Sequence, residues 1–131
     1  MKAVNEVSGA VVDAALKVHT ALGPGLLESA YEACLVHEPR KRGLNVQSQV
    51  HLPVEYDGVK IEAGYRTDLL VQDCVIVELK AVEKVIPIHE AQLLSYLKLS
   101  GIRVGLLINF NVIRLKDGIK RMVNGFNNSP L

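Results

Sequence analysis

Val4, Val7, Val11, Ala14, Val18 and Leu22 recur at steps of three and four, with mostly polar or small residues between them. That spacing lays one apolar stripe along a helix and predicts α-structure from Val4 to Leu22. Gly23-Pro24-Gly25 interrupts it. A second helix is expected next, with Leu27, Ala30, Tyr31 and Cys34 on one face, ending near Gly43. Pro39 falls late in that helix. Proline removes the amide that would bond the carbonyl of Leu35, so a kink or an early end is expected there.

The period then shortens. Val46, Val50, Leu52, Val54 and Tyr56 alternate with Gln47, Gln49, His51 and Glu55, which predicts a half-exposed strand. Pro53 cannot donate to a ladder and puts this strand at an edge or at a bulge. Asp57-Gly58 signals a hairpin. Val59, Ile61, Ala63 and Tyr65 form the return strand, which continues through Arg66–Val71, turns at Gln72-Asp73 and leaves through Cys74–Lys80. Ile88–Ser100 is apolar nearly all round, which predicts a helix packed on several sides, and Gly101 ends it. Arg103–Phe110 predicts a short central strand and Lys116–Val123 a final short helix. The residues after Val123 read as a loose tail. A strand reached through a crossover helix pairs in parallel, so the sheet is expected to be mixed.

Composition narrows this little. A chain of 131 residues suits one domain, and 49% hydrophobic with 22% charged residues excludes a disordered chain. A net charge of +1 decides nothing about nucleic acid, because a local patch matters more than a total. Arg40-Lys41-Arg42 and the group Lys116, Lys120 and Arg121 each read, taken alone, as solvated helix ends. Cys34 and Cys74 lie far apart with no CxxC, which fits neither a zinc site nor a disulfide framework and suits a reducing cytoplasm. Glu6, Asp13 and Lys17 interrupt any signal-peptide pattern. No run approaches the ~18 apolar residues of a membrane span, so no membrane partner is expected.

Against this background three charges stand out. Asp68, Glu78 and Lys80 interrupt or end the apolar runs Leu69-Leu70-Val71 and Val75-Ile76-Val77. Burying a charge costs several kcal/mol unless a partner or a metal compensates. Glu78 and Lys80, two apart on a strand, share a face. Whether Asp68 joins them depends on the turn. A strict two-residue loop at Gln72-Asp73 sets Asp68 opposite Val77, facing away. One further residue sets it opposite Glu78, and also gathers Leu69, Val71, Val75, Val77 and Leu79 on one apolar face. Register follows the buried face, so the three-residue loop or a bulge is expected.

Two carboxylates, with the backbone carbonyl of Leu79, offer the hard oxygens that Mg²⁺ or Mn²⁺ prefers. Such a metal acidifies a water and steadies charge on a phosphate. Lys80 is placed to orient that water or offset developing negative charge. Gln92 and Tyr96, four apart on a helix, share a face from which to bond the site or a substrate phosphate. His89 lies near that face, although a lone histidine is more often structural. A Glu-x-Lys pair by itself is ordinarily a surface ion pair, and an Asp near a turn is ordinarily a turn residue. Their combination inside apolar strands is what points to chemistry.

Gly25-Leu26-Leu27-Glu28-Ser29-Ala30-Tyr31 matches the GxxExxY motif. Tyr65–Val71, Ile76–Ala81 and Gly105–Phe110 are also similar to the small bacterial and archaeal family that this motif names, and the likeness runs from about Val7 to Val123. That family is placed in the PD-(D/E)XK nuclease superfamily. The resemblance implies an α/β (α+β) fold with a restriction-endonuclease-like core, a mixed sheet of four to five strands flanked by helices. It implies that Asp68, Glu78 and Lys80 are metal and catalytic positions. Gln92 and Tyr96 resemble the Gln-x-x-x-Tyr motif of its RecB-like branch. Glu28 matches an acidic residue of the N-terminal helix that can assist the metal. Thr67 stands where the superfamily has proline, at a position that varies widely.

The leading expectation is a metal-dependent nuclease, or nuclease-like phosphodiesterase, acting on DNA rather than RNA. The alternative is a non-catalytic module that binds nucleic acid or protein on the same fold. The near-neutral charge, the absence of Trp and the few aromatics favour that alternative. A protein partner or a second copy would then help grip substrate. An ordinary α/β domain with a surface ion pair is the third reading.

Overall fold

The computed structural model describes residues 3–125. Among them, five strands form one sheet in chain order: β1 (Val46–Tyr56), β2 (Val59–Val71), β3 (Val75–Lys80), β4 (Val104–Asn109) and β5 (Ile119–Val123). β1, β2 and β3 run antiparallel, β3 and β4 are parallel, and β5 returns antiparallel on β4. Three α-helices flank the sheet: α1 (Val4–Leu22), α2 (Glu28–Lys41) and α3 (Pro87–Ser100). The chain is thus α+β with a mixed sheet, and α3 supplies the crossover that parallel pairing of β3 and β4 requires.

The sheet is covered on both faces. Leu69, Val71, Val75, Val77 and Leu79 pack with Val104, Leu106 and Ile108 against Val7, Val11, Ala14, Ala15 and Val18 of α1 and Tyr31 and Leu35 of α2. Leu70, Ile76 and Leu107 face the other way, onto Leu93 and Leu97 of α3. Each large side chain buried in this way stabilises the fold by roughly 1.5–3 kcal/mol. The expected apolar face of β2 and β3 is therefore the one that forms.

Local chemistry explains most element ends. Gly23 closes α1 in a conformation of positive φ, 72°. Asp57 and Gly58, at φ 53° and 76°, make the β1–β2 turn, whose twist matches the strands it joins. β1 lies at the sheet edge, and its register shifts at Pro53: Leu52 pairs with Tyr65 but Val54 with Ile61. Gly64 lies against that shift, where a Cβ would run into the carbonyl of Leu52. Pro39 does not end α2 at once. The helix runs two residues further, and the Pro39 carbonyl accepts the amides of Arg42 and Leu44 as the chain turns away.

Three expectations need correction. Lys116–Val123 is not a helix: Leu115–Gly118 is one 3₁₀ turn and Ile119–Val123 is β5. Six consecutive buried residues of β4 present an edge whose backbone groups need partners, and β5 supplies them. The buried face of α2 is Tyr31, Leu35 and Pro39, whereas Leu27 is its exposed N-cap. α3 buries only Leu93 and Leu97 and leaves Ile88 and Leu99 exposed, so it covers the sheet from one side only. The tail expected to be loose lies, from residue 126 onward, outside the described residues. No helix among the described residues is long and apolar enough to cross a membrane.

Both basic clusters are drawn into the structure. Arg42 pairs with Asp13 at 2.7 Å, Arg40 donates to the carbonyl of Val46, and Lys41 reaches Glu38. Lys120 pairs with Glu90 at 2.9 Å, and Arg121 donates to Asn5 Oδ1. Cys34 and Cys74 are both free thiols.

Candidate active site

The β2–β3 ladder is short: Val71 pairs with Val75, Leu70 with Ile76 and Leu69 with Val77. Its loop is Gln72-Asp73-Cys74, three residues, with φ of 52° and 53° at the first two and the Cys74 amide donating to the Val71 carbonyl. This register brings Asp68 opposite Glu78, as the burial argument required. At that step the strands stop bonding backbone to backbone. The Asp68 amide donates to Glu78 Oε2 at 2.9 Å, and the Leu79 amide donates to Asp68 Oδ2 at 2.8 Å. Each carboxylate thus caps an amide of the other strand. The Thr67 hydroxyl adds a 2.7 Å bond to Glu78 Oε2.

Glu78 is 8% exposed. Burial first, and then the charge of Asp68, push its carboxyl up to about 7. The Thr67 hydroxyl, the Asp68 amide and Lys80 pull the other way without cancelling the rise. Lys80, at the end of β3, is half-buried and acts electrostatically on Glu78 and on Glu28. Glu28 opens α2. Its acid is raised by partial burial, then by Asp68, against a lowering by Lys80, with Glu32 adding a further rise. Asp68 and Lys80 thus act on both Glu28 and Glu78, across α2, β2 and β3.

The α3 residues close the arrangement. Tyr96 is half-buried, and burial followed by the charges of Glu78 and Asp68 raises its phenol, while a hydrogen bond from Gln92 lowers it. Its ring stacks on Tyr65 with centroids 4.1 Å apart, and the Tyr65 hydroxyl donates to the Tyr96 carbonyl at 2.9 Å. Gln92 is exposed one turn earlier on the same face. His89 Nδ1 accepts the Ile86 amide at 3.2 Å, which closes the first turn of α3. Tyr31, the last residue of the Gly25–Tyr31 motif, is wholly buried. It stacks on Phe110 with centroids 4.5 Å apart, donates to the Gly23 carbonyl at 2.6 Å and accepts the Leu26 amide at 3.1 Å. That tyrosine pins the α1–α2 loop and so sets where Glu28 begins.

Three neighbours of the site carry contacts that the sequence reasoning did not assign to it. Thr67 was read as a tolerated departure, yet its hydroxyl serves Glu78. Glu32 lies one helical turn after Glu28, and that spacing alone could have marked it. Gln49 of β1 donates to both Glu32 oxygens, at 2.9 and 2.8 Å, and reaches Asp68 Oδ1 at 3.4 Å. A separate cleft lined by Glu83, Lys84, Leu107, Asn109 and Lys120 includes none of Glu28, Asp68, Glu78 and Lys80.

A family model for the PD-(D/E)XK nuclease superfamily matches residues 5–122. The chain belongs to that superfamily. Membership brings a nuclease-like function and a nucleic-acid substrate, and PD-(D/E)XK nucleases generally depend on a divalent metal. No curated protein and no solved structure matches the chain.

Among the described residues, no three His, Cys, Asp or Glu side chains converge as a ready metal cage. The donor chemistry still fits a PD-(D/E)XK metal site. Mg²⁺ keeps several waters and takes one or two protein carboxylates, not a full cage. Both contacts to Glu78 fall on Oε2, which leaves Oε1 for a cation, and Asp68 Oδ1 meets only the Gln49 amide at 3.4 Å. A buried Glu78 whose carboxyl is pushed up to about 7, beside a half-buried Asp68, is a site that positive charge would relieve.

Proposed function

We propose that this protein is a metal-dependent phosphodiesterase that hydrolyses nucleic acid, DNA in preference to RNA. The closer kinship is with the GxxExxY proteins, whose motif here spans Gly25–Tyr31. The observation that carries the reading is the Asp68–Glu78 pair, half-buried and buried respectively at the end of the β2–β3 ladder, with Lys80 beside it. Asp68, Glu78 and the Leu79 carbonyl would hold Mg²⁺ or Mn²⁺, with Glu28 at the rim. A bound divalent cation would acidify an attacking water and offset charge on the scissile phosphate. Lys80 orients that water or neutralises negative charge as it develops. Gln92 and Tyr96 present an amide and a phenol from α3 to the phosphate backbone. His89, already used in capping, contributes least.

Purified protein incubated with single- and double-stranded DNA and with RNA, in Mg²⁺ or Mn²⁺, tests this. The expected result is cleavage that Lys80→Ala reduces by about 100-fold or more, the scale of losing one transition-state charge stabiliser. Cleavage no greater than that of Lys80→Ala would sink the enzyme.

One observation favours a second reading. A net charge of only +1, with no Trp for stacking on bases, suits a non-catalytic module that binds nucleic acid or a protein on the same fold, as a monomer or a homodimer. Nucleic-acid binding that is indifferent to Mg²⁺ and to Asp68→Ala would select it.

A further inference from the structure

Gln49 is where β1 departs from strand geometry without losing register. Ser48 pairs with Leu69 and Val50 with Thr67, so no residue is inserted between them. Yet Gln49 has φ 53°. A glutamine holds that left-handed conformation at a cost of order 1–3 kcal/mol, and such strain persists where surrounding contacts over-determine it. Here the contacts are carboxylates. The side-chain amide bonds both oxygens of Glu32 and reaches Asp68 Oδ1. It is a neutral double donor between two anions, and it joins α2 to the acid of β2.

We propose that Gln49 is a positioning residue for the candidate metal site: it tethers Asp68 to Glu32 and so sets the rotation of the Asp68 carboxylate. The proposal rests on the metal-dependent reading above. The Leu79 amide fixes one oxygen of Asp68, which leaves the carboxylate free to swing about that bond. The Gln49 amide supplies the second point, and Glu32 anchors the amide. Outer partners of this kind typically govern metal affinity, not the presence of the ligands. The strain in β1 is the structural cost of delivering the amide at that spot.

The test is calorimetric titration of the full chain with Mn²⁺ in the absence of nucleic acid, paired with urea unfolding in EDTA. Gln49→Gly and Gln49→Asn both suit a positive φ, but the first lacks the amide and the second is one methylene too short to span both acids. Both variants are expected to keep the parent's unfolding midpoint and to bind Mn²⁺ about tenfold more weakly. Glu32→Ala should weaken binding to the same extent, and the double variant Gln49→Gly/Glu32→Ala no further, because one tether is lost in each case. Parental Mn²⁺ affinity in Gln49→Gly would overturn the proposal. So would additive losses in the double variant. A midpoint that falls in step with affinity would also overturn it, making Gln49 a staple between β1 and α2. A parent that binds no more Mn²⁺ than Asp68→Ala removes the metal reading itself, and the positioning role with it.

Discussion

Glu78→Gln is expected to stabilise the metal-free protein, by an amount that grows with pH. Burial and the neighbouring Asp68 raise the Glu78 carboxyl from 4.5 to about 7 in the folded state. An acid whose pKa is raised on folding holds its proton more tightly in the native protein. Its contribution to stability is therefore complete below pH 4.5 and is lost as pH climbs through 7. At about 1.4 kcal/mol for each tenfold change in proton affinity, the full loss is about 3 kcal/mol, and most of it falls between pH 5 and pH 8. Glutamine keeps the shape and retains an oxygen for the Thr67 hydroxyl and the Asp68 amide, but carries no charge. Urea unfolding of parent and variant in EDTA, at pH 5 and at pH 8, isolates the effect. The variant's advantage should widen by about 2–3 kcal/mol across that interval. An advantage that stays flat, or a variant weaker than the parent at pH 8, would refute the claim that buried like charge is stored at this step of the sheet.

Two further outcomes follow from contacts elsewhere. Gly64→Ala drives a Cβ into the Leu52 carbonyl and to 2.9 Å from the Val54 amide; it should cost about 1–3 kcal/mol in urea unfolding, and an unchanged midpoint would mean the register shift at Pro53 relaxes freely. Tyr31→Phe leaves the ring on Phe110 but strips partners from the Gly23 carbonyl and the Leu26 amide; a loss of about 1–3 kcal/mol is expected, and no loss would show that the α1–α2 loop is held by something else.

How much of this was legible in the sequence depends on where the deciding physics lies. The facing of Asp68 and Glu78 could be deduced, because parity ties it to the burial of Leu69, Val71, Val75, Val77 and Leu79. The edge position of β1 followed from one missing amide at Pro53. β5 was misread because its identity is set by the open edge of β4, a demand made by residues distant in the chain. Apolar content alone overstated the packing of α3: an exposed Ile88 and a buried Leu93 look alike until the neighbours are placed. Gln49 was beyond reach for a related reason. Its positive φ goes with bonds to Glu32 and Asp68, partners distant in the chain, so within β1 it counted only as one more polar residue in an alternating strand.

The exchange of amides between Asp68 and Glu78 makes those two acids part of the sheet's own hydrogen bonding. Removing either leaves a backbone N–H of the other strand without its acceptor, a defect that costs about 1–3 kcal/mol. Selection on foldedness alone would then preserve an acceptor oxygen at positions 68 and 78, a demand that glutamine meets at 78 as well as glutamate does. Lys80 carries no such duty to the backbone in the contacts seen here. A descendant of this chain under pressure only to fold would shed the lysine before it shed the oxygen acceptors at 68 and 78, and its sequence would go on resembling the site long after any chemistry there had ceased to matter.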